Sequence, residues 1–198
     1  MESLKKAIDA FVNAFKIADL RKKLLFTLGV LIIYRIGAHI TIPGVNSAVL
    51  GEYFRNSNNL FGLYDSFTGG AFAKATVFAL GIMPYISASI IIQLMGAVIP
   101  AIQMLQKEGQ EGRAKLNQYT RYFTVVLAAL QGWGVSVWLS NLKVTTAAGT
   151  GISVLLDDFA SGMGNIGFRL LATLTFTTGT IFVMYLGEQI TSRGVGNG

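Results

Sequence analysis

Four stretches of this chain run predominantly apolar for close to the thickness of a bilayer, three of them without a charge, and polar or glycine-rich segments separate them. From Thr76 to Ile99 the sequence TVFALGIMPYISASIIIQLMGAVI carries no charge, the nearest charges being Lys74 and Lys107. Tyr122 to Leu142 and Leu170 to Gly187 repeat the pattern between Arg121 and Lys143 and between Arg169 and Glu188. About 20 apolar residues are needed for a helix to cross the hydrocarbon core, so these predict spans 2, 3 and 4 at 76–99, 122–142 and 170–187. Span 1, Leu24 to Ile42, is interrupted by Arg35 and closed by the turn signal Pro43-Gly44. An Arg near a helix centre costs roughly 2.5 to 3.5 kcal/mol, whereas each Leu, Ile, Phe or Val contributes about 0.3 to 0.6 in favour, so the apolar residues win. Arg35 also lies roughly 10 Å along the helix from Ile42, within reach of the outer interface. The pattern therefore predicts an all-α polytopic membrane protein.

The connecting segments differ in character. Residues 1–23 place Ala7, Ile8, Phe11, Phe15 and Ile17 near one face of a helix, which fits either an amphipathic helix lying on the inner interface or a basic retention signal. Residues 43–75 form an outer loop. It holds a shorter apolar element, Leu60-Phe61-Gly62-Leu63-Tyr64-Asp65-Ser66-Phe67-Thr68-Gly69-Gly70-Ala71-Phe72, too short to span. A surface helix, a loop, or a re-entrant half-helix sheltered by protein are all open to it, and composition favours the first. Its Gly69-Gly70 supplies a flexible joint. Residues 100–121 are too polar to bury and form an inner loop, 143–169 an outer one in which ISVLL packs on the rim, and 188–198 another inner segment.

Composition supports a lipid solvent: 52% of residues are hydrophobic and 13% charged, against roughly 25% charged in soluble domains. With the N-terminus inside, eleven of the sixteen basic residues fall on the inner side, four outside and Arg35 within a span. That satisfies the positive-inside rule, so the net charge of +6 reflects topology rather than nucleic-acid binding. No G-x-S-x-G or H-E-x-x-H motif occurs, there is no Cys and a single His, His39, so neither a catalytic residue, a metal site nor a cofactor is expected. No Asp or Glu lies inside any predicted span, which disfavours ion-coupled transport. Ile82, Ile86 and Ile90 recur at i, i+4, i+8. Lipid-facing isoleucines account for that spacing, but Pro84, which removes a backbone bond, and the polar Ser87, Ser89 and Gln93 favour a face toward protein or water.

Phe78 to Leu94 (FALGIMPYISASIIIQL), Lys107 to Tyr122 (KEGQEGRAKLNQYTRY) and Leu186 to Gly198 (LGEQITSRGVGNG) resemble the SecY family, the central subunits of the Sec protein translocon. Tyr34-Arg35-Ile36-Gly37, Ile42-Pro43-Gly44 and Thr68-Gly69-Gly70-Ala71 add to the resemblance, which covers nearly everything from Leu24 onward except Val144 to Gly167. It implies the first half of a ten-span channel of two inverted halves, the chain stopping in a GNG motif ahead of span 5. It further implies that Ile82 and Ile86 belong to a hydrophobic pore ring, that residues 60–72 form a re-entrant plug, and that spans 2 and 3 border a lateral gate, with Ser87 and Gln131 in its polar cluster. The implied partners are SecE and SecG, a SecA motor or a translating ribosome, signal sequences and preproteins, and membrane lipid, with nucleic acid met only as ribosomal RNA. The implied function is a passive conduit in the bacterial cytoplasmic membrane. A small-solute channel or transporter fragment and a membrane scaffold are the rival readings.

Overall fold

The computed structural model describes residues 17–56, 60–145, 151–160 and 162–196. In chain order the helices are α1 (Ala18–Gly37), α2 (Ser47–Asn56), α3 (Leu60–Thr68), α4 (Met83–Val98), α5 (Pro100–Lys107) and α6 (Gln110–Asn141). Strands β1 (Lys143–Thr145) and β2 (Gly151–Ser153) follow, then α7 (Asp157–Ala160) and α8 (Gly162–Arg193). The chain divides into two compact units, one of residues 1–36 with 184–198 and one of Gly37–Val183. In the first, Val195 N–H donates to Thr27 Oγ1 at 3.1 Å, and the absence of a side chain at Gly194 makes room for that approach.

Among the described residues, α6 and α8 are each long and apolar enough to cross a membrane alone, and α4 with α5 would add a third span as one broken element. At 32 residues apiece, α6 and α8 are about 48 Å long, well beyond the roughly 30 Å hydrocarbon core. The polar stretch Gln110 to Arg121 is therefore the first turns of α6 rather than loop. In α1, Arg21, Lys22, Lys23 and Arg35 bracket a short uncharged run, and the helix stops at Gly37 rather than reaching Ile42.

The second apolar stretch folds differently from a continuous 76–99 helix. Val77 to Ile82 is a run of turns, and α4 begins only at Met83. Pro84 therefore sits in the first helical turn, where N–H groups have no intrahelical acceptor, and it removes no bond from the span. Ile99 is extended, φ −100° and ψ 113°, as a residue before proline prefers, and Pro100 opens α5 at 103° to α4. Gly96 leaves space for the Gln106 side chain and Gly112 for the Leu105 carbonyl, so α5 folds back against its neighbours.

The core lies where the loops of the second unit converge. Ile42, Leu50, Phe72, Leu80, Leu139, Val154, Leu155 and Phe168 are buried together. Strands β1 and β2 pair antiparallel, Val144 opposite Ile152. Val45 bridges to Leu155 and Thr41 to Thr76, which ties the segment after α1 to both the hairpin and the entry to α4. Val154 and Leu155, from the apolar run expected to lie on a rim, are instead interior.

A docked half-helix and the open face of α4

The segment 60–72 is helical only to Thr68, and its ending follows from local chemistry. Gly69 N–H donates to Ser66 O at 3.4 Å and Gly70 N–H to Asp65 O at 3.0 Å, the paired bonds of a Schellman stop. Such a stop needs a left-handed residue just past the helix. Gly69, at φ +63°, supplies it without the steric cost a Cβ would bring. Beyond it, Asp65 Oδ1 accepts from Ala73 N–H at 2.8 Å, and Thr68 Oγ1 donates to Asp65 O at 3.1 Å while accepting from Phe72 N–H at 3.2 Å. The glycine pair thus lies inside a hydrogen-bonded turn rather than forming an open joint.

Two further contacts fix α3 to the entry of α4. Tyr64 Oη donates to Leu80 O at 3.1 Å, and burial pushes the phenol from its ordinary value up to about 12. Gly81, at φ +54°, stands where a Cβ would come within 3.3 Å of Thr68 Cγ2, so the end of α3 abuts the residue immediately before Ile82. Aromatic rings brace the same place. Phe72 stacks on Trp138 of α6 at 6.0 Å and meets Tyr64 edge-on at 4.8 Å and Phe54 at 5.6 Å.

Between α3, α4 and α6 lies a recess of about 440 Å³ lined by Tyr64, Phe72, Leu80, Met83, Ser87, Gln131, Gly134, Val135 and Trp138. Ser87 and Gln131, chosen from sequence on different spans, thus line one recess, and none of its lining residues is charged. Ile82 and Ile86 lie elsewhere on α4. Ile82 caps the helix, its carbonyl accepting from Ile86 N–H at 3.0 Å, and Ile82, Ile86, Ile90, Leu94 and Val98 run as an exposed stripe, from 39% open at Ile86 to 81% at Val98. Sequence reasoning missed Trp138, Phe54 and the Tyr64 bond. Only the aromatic character of these residues signalled them, and aromatic residues recur throughout the chain.

The match to known proteins now has a geometry to meet. Residues 76–198 match the SecY family profile, which is more than half the chain. The chain belongs to the SecY family. It is 49% identical over 194 residues to the protein translocase subunit SecY of Streptomyces scabiei and 48% identical over 193 residues to that of Pseudomonas aeruginosa. A third relative, the protein of the same name from Vibrio cholerae, is 43% identical over 183 residues. These alignments cover 96%, 97% and 92% of this chain but only 43%, 40% and 38% of those proteins, so this chain spans about two fifths of its relatives' length. The membership and the apolar helices make it a membrane protein.

Proposed function

We propose that this chain supplies the first half of a protein-conducting channel that passes unfolded preproteins across the bacterial cytoplasmic membrane and releases apolar segments into it. The observation that carries the reading is the docking of α3 against Gly81, directly beside the exposed isoleucine stripe that starts at Ile82. A ring of aliphatic side chains gates by dewetting: it excludes ions when narrow, yet yields to a passing chain without binding a particular sequence. Ile82 and Ile86 are this half's share of the ring, and α3 with its turn is the plug. Ser87 and Gln131 border the lateral gate, where a signal sequence leaves for lipid.

The conduit is passive, with no catalytic residue and no cofactor, and SecE, SecG and a SecA motor or translating ribosome complete it. The N-terminus lies in the cytoplasm, α1 forms span 1, and α4 with α5, α6 and α8 follow as spans 2 to 4. A small-solute carrier requires polar groups converging on its substrate, and the uncharged recess favours a polypeptide conduit instead.

The test is resting conductance of the complete translocon in planar bilayers. Ile82→Ser with Ile86→Ser wets the constriction and raises ion conductance at unchanged channel density, while preprotein transport persists. Conductance equal to the parent's would place these isoleucines against lipid or neighbouring helices and end the pore assignment.

A further inference from the structure

We propose that Asp65 is a positioning residue that makes the half-helix and the turn after it one piece: its carboxylate, aided by the Thr68 hydroxyl, clasps the turn after α3, so that helix and turn move as one body and the glycine pair is not the hinge. The inference rests on the reading of α3 as a plug and names which residues move with it.

A Schellman stop ends a helix with backbone bonds alone, and those of Gly69 and Gly70 are present here. The bond from Ala73 N–H to Asp65 Oδ1 lies outside that motif. It spans eight residues, is short at 2.8 Å, and joins a carboxylate to a backbone donor, the stronger class of hydrogen bond. Thr68 closes the interval by accepting from Phe72 N–H at 3.2 Å and donating to Asp65 O at 3.1 Å. The two side chains thus take up the consecutive amides of Phe72 and Ala73, the point where the chain turns back toward α4.

Swinging α3 about Gly69 and Gly70 would break both contacts and leave those amides to find new acceptors, an unfavourable exchange wherever water is scarce. Moving 60–73 as a unit preserves them. The release point then shifts to contacts outside the clasp, chiefly the Tyr64 bond to Leu80 and the seat of Thr68 Cγ2 on Gly81. Phe72 travels with the helix on this account, and its stack on Trp138 must open.

The experiment compares the parent, Asp65→Ala, Asp65→Asn and Thr68→Val in the complete translocon by hydrogen exchange of peptides covering 60–76, with exchange in α6 as the fold control. Resting conductance of the same preparations is recorded in planar bilayers. Asp65→Ala is expected to speed exchange at Ala73 by about tenfold or more, the scale for losing one charge-assisted bond. Asp65→Asn keeps an Oδ1 acceptor and recovers most of the protection. Thr68→Val exposes the Phe72 amide in the same way. Parent-like exchange in Asp65→Ala, or equal loss in Asp65→Ala and Asp65→Asn, overturns the clasp. Faster exchange with raised conductance supports both clasp and plug. Faster exchange with unchanged conductance upholds the clasp and removes the plug reading on which it was framed.

Discussion

Gly81 is the residue on which the site turns, because its left-handed backbone and missing side chain let the end of α3 rest beside Ile82. Gly81→Ala forces a Cβ into a left-handed conformation, at a cost of about 1–2 kcal/mol, and presses it on Thr68. We expect faster hydrogen exchange across 60–81 in the translocon and a leakier resting channel. Tyr64→Phe isolates a different contact: it deletes the donor to Leu80 O with almost no change in volume, a loss of about 0.5–1.5 kcal/mol. A small conductance rise, less than that of the double isoleucine variant, is the expected result in the bilayer assay. At Ser87 and Gln131, a photocrosslinker should capture a stalled signal sequence in the complete complex; capture of lipid alone at both positions would remove them from the gate. The spacing of Ile82 and Ile86 made them visible in the sequence. Gly81 was not visible as a special position, since one glycine among 23 gives no sign of its φ until the fold sets it.

The element that departs most from its sequence pattern is the second apolar stretch. Hydropathy measures transfer to lipid and is blind to where a helix starts, so Val77 to Ile82 read as span although it folds as turns. The bend at Ile99–Pro100 was legible in principle, because the residue before proline avoids helical backbone. What holds α5 at that bend was not, since Gly96 and Gln106 meet only after the chain has turned. Gly96→Leu drives a large side chain into the place Gln106 occupies, an overpacking worth about 1–3 kcal/mol. The expected consequence is loss of α5 packing, seen as faster exchange in 100–107 with α8 unchanged. The half-helix was legible as a short apolar element, and its stop at Thr68 is the ordinary outcome of a Gly placed just after a helix.

Across the whole molecule, charge and apolar surface carry the remaining predictions. Single cysteines at Gln110 and Asp157 should label from the cytoplasmic and the external side respectively, as the positive-inside distribution requires; labelling from the opposite sides would reverse the threading. The sequence by itself determined that this chain is a helical membrane protein, because uncharged stretches of bilayer length leave no aqueous alternative and each helix closes its own backbone hydrogen bonds. It also determined family, through runs long enough to be distinctive without any fold in view. Only the tertiary structure decided that Ser87 and Gln131 share a recess, that Val154 and Leu155 are core, and that Asp65 reaches the Ala73 amide. The physical reason is range. Hydropathy and glycine chemistry act within a few residues, whereas Tyr64 reaches Leu80, and Phe72 finds Trp138, only when distant segments have been packed into one place.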